Sequence, residues 1–171
     1  YAATLSATSS ATLLNATYSS LPQPTNTNPY SIQLWVRPGA AAATSNSSER
    51  IIINMEHKFA ISSTNRTWRY YIGDGTQWVG GLIDTGVTVR QDQWVHIGLV
   101  LAATDVHFYV NGQHVHSRGN RPNSGGSVNK YFGIGSWKGD VTDAWAGSFF
   151  DGQVDEVRLW QADRGTAMAT D

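Results

Sequence analysis

Trp94-Val-His-Ile-Gly-Leu-Val-Leu101 and, across a four-residue gap, Val106-His-Phe-Tyr-Val-Asn-Gly-Gln-His-Val-His-Ser117 decide the fold. Asn111-Gly112 is the strongest short hairpin signal, because both residues tolerate the positive φ that a two-residue turn requires. A turn there pairs Val110 with Gln113, Tyr109 with His114, Phe108 with Val115, and His107 with His116. Reading residues 102–105 as the preceding loop pairs Leu101 with Val106, Leu99 with Phe108, and Ile97 with Val110. The two registers agree about the faces. Val95, Ile97, Leu99, Leu101, Val106, Phe108, Val110 and Val115 share one side, a core surface. Trp94, His96, Gly98, His107, Tyr109, His114 and His116 share the other. A slip of one residue would mix the two sets, so the pattern pins the register.

The same texture extends outward. Short β-branched and aromatic stretches recur at 30–36, 50–56, 66–72, 78–83, 94–101, 106–110, 113–117, 130–134 and 154–160. Turn formers such as Gly73-Asp74-Gly75 and Asp151-Gly152 separate them. Residues 38–48, with a four-alanine run, and 118–129, rich in Gly and Asn, read as solvated loops. No amphipathic helix and no internal repeat interrupts the series. Many short strands without helices indicate an antiparallel sandwich or barrel.

Composition narrows the function. Twelve basic and thirteen acidic residues leave a net charge of −1 over 171 residues, without the basic footprint of a nucleic-acid binder. The longest apolar run, residues 97–103, is far below the ~18 residues of a membrane span, so no membrane insertion is expected. Absent cysteine removes disulfide scaffolds, thiolate metal sites and thiol catalysis. Charge is only 15% of the chain and the first charged residue is Arg37, a neutral Ser/Thr-rich opening ordinary in secreted β proteins. Sequons stand at Asn15, Asn46 and Asn65. The start at Tyr1 reads as an excised part of a larger protein, with flanking domains.

Tyr30-Ser-Ile-Gln-Leu-Trp-Val-Arg-Pro38, Gln93-Trp-Val-His-Ile-Gly98, Val106-His-Phe-Tyr-Val-Asn-Gly112 and Phe150-Asp-Gly-Gln-Val-Asp-Glu-Val-Arg-Leu-Trp160 together resemble the laminin-G-like, concanavalin-A-like superfamily of the LamG/pentraxin type. The resemblance spans nearly the whole chain. It implies an all-β, two-sheet antiparallel jelly-roll sandwich as a single domain over residues 1–171, with the first strands inside 2–21 and a connection at 22–29. It implies no single function, since members include carbohydrate-binding modules, adhesin domains, pentraxins and accessory domains of glycosidases.

Candidate sites follow from residue types. Glycosidases on this fold use alternate strand carboxylates. Asp155 and Glu156 are adjacent and point to opposite faces, while Glu49 and Glu56 stand elsewhere. No Gly-x-Ser-x-Gly elbow occurs. The chain therefore reads as non-catalytic. His107, His114 and His116 on one face form a patch able to take zinc, copper or nickel, or to respond to protons. Asp155 shares the apolar side of its strand with Val157 and Leu159; a core-facing carboxylate needs a partner, and the family often holds Ca²⁺, so Asp155 is the calcium candidate. Trp35, Trp94 and Trp160 read as structural. Trp137 and Trp145 lie in the connection 136–148, beside Lys138, Asp140 and Asp143. Flat rings with polar neighbours suit a pyranose; the competing reading folds the rings back as a plug. Trp68, Trp78, Tyr70 and Tyr71 form a second aromatic group that alternation partly turns inward.

The expected function is an extracellular or cell-surface recognition module binding glycan or an extracellular protein through these loop aromatics. The competing readings are an assembly module of a filament, adhesin or surface layer and, behind it, a glycoside hydrolase.

Overall fold

The computed structural model describes residues 2–5, 16–17, 21–44, 48–125, 131–137 and 148–168. Their strands form two antiparallel six-stranded sheets. Sheet A runs β1 (Ala3–Leu5), β12 (Gly152–Trp160), β3 (Tyr30–Pro38), β8 (Val95–Leu101), β9 (Val106–Val110) and β10 (Gln113–Arg118). Sheet B runs β2 (Ala16–Thr17), β11 (Tyr131–Ile134), β4 (Arg50–Met55), β5 (Phe59–Thr64), β6 (Thr67–Ile72) and β7 (Ile83–Thr88). This is the all-β jelly-roll sandwich that the alternation and the family motifs lead one to expect. Among the described residues, no helix is long and apolar enough to cross a membrane.

Period-2 alternation builds the core between the sheets. Ile32, Leu34 and Val36 of β3, with Ile97 and Leu99 of β8, are fully buried in one cluster with Phe59, Ile61, Trp68 and Tyr70 of sheet B. Tyr70 stacks on Phe108 across the core, with centroids 5.6 Å apart and planes at 10°. Such a pair adds about 0.5–1.5 kcal/mol beyond area burial.

The deciding hairpin forms with Asn111 at φ 48° and Gly112 at φ 75°. Pairing follows the expected register through Tyr109 and His114 and then shifts. His116 stands opposite Phe108 and Ser117 opposite His107. A β-bulge has inserted one residue, so His116 leans toward the core with Val115, which still packs there.

Four other expectations change. Residues 38–48 are not all loop: Ala40–Thr44 is a helix, α1, with Ala42 and Ala43 buried. Alanine is the best helix former, and small side chains let α1 lie against β5, where Ser63 Oγ donates to Ala42 O. The stretch 78–83 does not pair as one strand, because Gly80 and Gly81 adopt φ +79° and +72°, and β7 starts at Ile83. Strand β5 was not expected from its sequence; its outward residues are Ala60 and Ser62, too small and polar to signal a strand. The stretch 118–125 is anchored, with Arg121 7% and Ser124 1% exposed.

Beyond β12 the chain turns back over the outer face of sheet A. Ser31 Oγ donates to Ala162 O at 2.7 Å, Arg164 N–H donates to Ser31 Oγ at 3.0 Å, and Gln33 Nε2 meets Met168 Sδ at 3.0 Å. The segment explains why Ser31 and Gln33, polar and outward on β3, are buried.

Candidate functional site

Among the described residues, the outer face of sheet B holds a close group of aromatic rings. In β6, Trp68, Tyr70 and Ile72 face inward and are buried, so Arg69 and Tyr71 face outward. Residues 73–77 then reverse the chain. Asp74 Oδ1 accepts from the N–H groups of Thr76 and Gln77 at 2.7 and 2.9 Å, and from Thr76 Oγ1 at 2.6 Å. These bonds, led by the Thr76 hydroxyl, pull the Asp74 carboxyl down to about 2. The turn is fastened to the β4–β5 connection, Gly73 N–H donating to Lys58 O and Gly75 N–H to His57 O. It returns Trp78 opposite Gly73.

Trp137 arrives from beyond β11, and its carbonyl accepts from Asn54 Nδ2 of β4. The three half-buried rings close a triangle. Tyr71–Trp78 is 5.4 Å, Tyr71–Trp137 5.4 Å and Trp78–Trp137 5.5 Å between centroids. His57 meets Trp78 edge-on at 5.5 Å. Trp137 is thus neither a loose loop residue nor a plug over the core edge. It is one wall of a platform whose other members come from β6 and its turn.

Polar groups border the platform. Glu49 Oε1 accepts from Ser62 Oγ at 2.7 Å and Oε2 from Tyr71 Oη at 3.0 Å. Burial raises the Glu49 pKa against the opposing pull of these hydroxyls and of Arg69. Burial also raises that of Tyr71, with the Glu49 charge adding to it. Arg69 pairs with Asp84 of β7 at 2.7 Å. Burial opposes ionisation of Asp84, yet Gly86 N–H, Thr67 and Arg69 together hold its pKa below the usual value.

The remaining sequence candidates distribute as follows. Lys138, Asp140, Asp143 and Trp145 lie outside the described residues, as do Asn15 and Asn46. Asn65 is exposed in the β5–β6 turn, at φ 49°. His107 Nδ1 and His114 Nε2 are 3.3 Å apart, but the bulge takes His116 to the opposite face, where its Nδ1 is 3.1 Å from Tyr70 Oη. The three-histidine patch is therefore split. Among the described residues, no three His, Cys, Asp or Glu side chains gather to hold a metal.

Asp155 is corrected likewise. A second bulge, with Glu156 at φ 47°, places Asp155 opposite Trp35 and Arg158 opposite Gln33. Val154 takes the core position before the bulge, and Val157 and Leu159 pack against the core after it. Asp155 lies off the core face, and its Oδ1 accepts from Glu156 N–H at 2.8 Å. The burial argument for calcium at Asp155 therefore falls away. The tryptophans read as structural also differ: Trp94 is 41% and Trp160 36% exposed, both off the core, and half-buried Trp35 meets His96 at a tilt of 47° with centroids 5.3 Å apart.

His116 should make stability pH-dependent. Burial lowers its pKa from 6.5, the charge of His114 lowers it further, and Asp84 opposes both. An unfolded chain takes up this proton more readily than the folded one, so stability falls as pH drops below about 6.5. Denaturant melts between about pH 5 and 8 should show this slope, and His116→Phe should flatten it.

A sandwich of two antiparallel six-stranded sheets with this strand order is of the jelly-roll class. The chain belongs to the concanavalin A-like lectin/glucanases superfamily, whose family model matches residues 12–167. No curated protein sequence matches it. Among solved structures it is similar to domain 4 of AbnA, a GH43 extracellular arabinanase from Geobacillus stearothermophilus in complex with arabinotriose. That match has 22% identity and a TM-score of 0.66, covering 99% of this chain and 76% of that one. It is also similar to a putative carbohydrate-binding protein from Bacteroides ovatus, at 15% identity and TM-score 0.61, covering 86% of this chain and 41% of the other. A SAP-like pentraxin of Limulus polyphemus matches at 13% identity and TM-score 0.60, covering 88% and 72%. At these identities the likeness is one of fold.

Proposed function

We propose that this chain is an extracellular, non-catalytic glycan-binding module whose ligand rests on Tyr71, Trp78 and Trp137. The observation that carries the reading is the triangle of half-buried rings at 5.4–5.5 Å on an outward sheet face. Rings fixed by mutual edge contacts give an apolar surface for sugar C–H groups at little ordering cost. Glu49 and Arg69, both partly exposed, are the polar side chains at its border. Two observations favour binding over hydrolysis. Both Glu49 oxygens are held by hydroxyls, and Asp84 is committed to Arg69, which leaves neither as an acid–base pair astride a bond. The low charge, the exposed Asn65 sequon and the extracellular arabinanase among proteins of like fold support an extracellular setting.

The test is a glycan array including arabino-oligosaccharides, followed by calorimetric titration of the best ligand. Trp78→Ala and Trp137→Ala should each weaken binding about tenfold or more, a loss of roughly 1.4 kcal/mol. Parent-strength binding by both variants would remove the platform from the site. No glycan binding, with concentration-dependent self-association, would favour the assembly role.

A further inference from the structure

We propose a second saccharide site on the other sheet, centred on Trp160 and selective for an acidic sugar bearing a carboxylate or sulfate. Trp160 ends β12 opposite Ser31 on the outer face of sheet A and is 36% exposed. Its Nε1–H donates to Gln33 Oε1 at 3.3 Å. The ring is thereby oriented with its polar edge satisfied, and what it offers a ligand is apolar surface. Two guanidinium groups flank it. Arg164 lies over the ring with Cζ 4.8 Å from the centroid. Arg158, two residues before Trp160 and past the bulge, shares its face. Together with Leu159 these three residues line a surface cavity.

Two acids stand nearby among the described residues, Glu156 and Asp163. Glu156 pairs with Arg158 at 2.7 Å, but both side chains are about half exposed, and such surface pairs are worth only about 0–1 kcal/mol. An incoming oxyanion can replace that carboxylate. Asp163 Oδ1 accepts from Gly165 N–H at 2.8 Å. Guanidinium forks match planar and tetrahedral oxyanions, and a tryptophan face beside them matches the C–H side of a sugar ring. A chain of net charge −1 does not suit a long polyanion, so the ligand is a short acidic saccharide. The platform of Tyr71, Trp78 and Trp137 is on the opposite sheet, and the two sites stand or fall separately.

Titration of the protein with trigalacturonate and with a heparin-derived tetrasaccharide, followed by tryptophan fluorescence and calorimetry, tests the proposal, with arabinotriose as the neutral probe. At least one acidic probe should saturate the protein and weaken as salt is added. Arg158→Ala and Trp160→Ala should each reduce that affinity about tenfold. Binding of the galacturonate alone assigns a carboxylate, and of the heparin fragment alone a sulfate. Arg158 is exposed, so its replacement keeps the test decisive even if Trp160→Ala folds poorly. The proposal is overturned if neither acidic probe saturates, or if Arg158→Ala binds them as tightly as the parent.

Discussion

Arg121→Ala should lower stability by about 3–5 kcal/mol, since hydrogen bonds to a charged group are worth about 1.5–3 kcal/mol and several are lost together. The side chain is 7% exposed and its partners are main-chain carbonyls. The two N–H groups of Nη1 are shared among Asn28 O at 2.9 Å, Leu101 O at 3.0 Å, Ala102 O at 2.7 Å and Thr27 O at 3.3 Å. Nη2 donates to Asn26 O at 3.3 Å. One side chain therefore ties the connection before β3 to the end of β8 and to its own loop. Burial lowers the guanidinium pKa, yet an arginine stays charged at any ordinary pH. Arg121→Lys separates charge from geometry. A single ammonium cannot reach carbonyls spread over two segments, so lysine should recover only a minor part of the loss. Chemical denaturation of the three proteins reads both differences; recovery by lysine to near the parent would show that charge alone matters.

Gly73→Ala should destabilise the domain by about 1–3 kcal/mol, the usual cost of overpacking, and should abolish glycan binding at the platform. A Cβ there would lie 2.2 Å from His57 O and 2.7 Å from Gln77 O. Both are backbone atoms held in the sheet and the turn, so no side chain can swing aside. The turn must move, and Trp78 moves with it, away from Tyr71 and Trp137. Gly119→Ala is the matched control, since its Cβ would meet only Asp105 Oδ1, at 3.4 Å. Thermal melts with glycan titrations of both variants decide the matter. A Gly73→Ala protein that binds like the parent would mean that the rings need not be held where they are.

The strands and the core were legible wherever side chains alternate strongly. Residues 95–117 of β8, β9 and β10 announced their inner face because Ile97, Leu99, Val106 and Phe108 recur at every second position. Strand β5 was silent, because Ala60 and Ser62 on its outer side are small. The two bulges had no signature, since one inserted residue leaves composition and turn signals unchanged. The face assignments behind both metal expectations changed for that reason: His116 and Asp155 each sit beside a bulge that moved them to the other face. At the candidate site, Trp137 could be read from its loop, and Tyr71 could have been read from the inward run of Trp68, Tyr70 and Ile72 around it. Glu49 and His57 could not, because they reach the rings only through the pairing of separate strands.

The position of β12 bears on how the chain reaches this state. The last strand lies between β1 and β3, with Ala3 opposite Val154 and Val36 opposite the same residue. Sheet A therefore cannot close until residues 152–160 have left the ribosome, and until then β1 has no described partner and β3 shows a bare edge. Such long-range pairing places folding in the slow range, on the order of milliseconds to seconds. During that interval the exposed edge of β3, with Ile32, Leu34 and Val36 beside it, is a template for other chains. Nascent or truncated forms of this domain thus depend on dilution or chaperones in a way the finished sandwich does not.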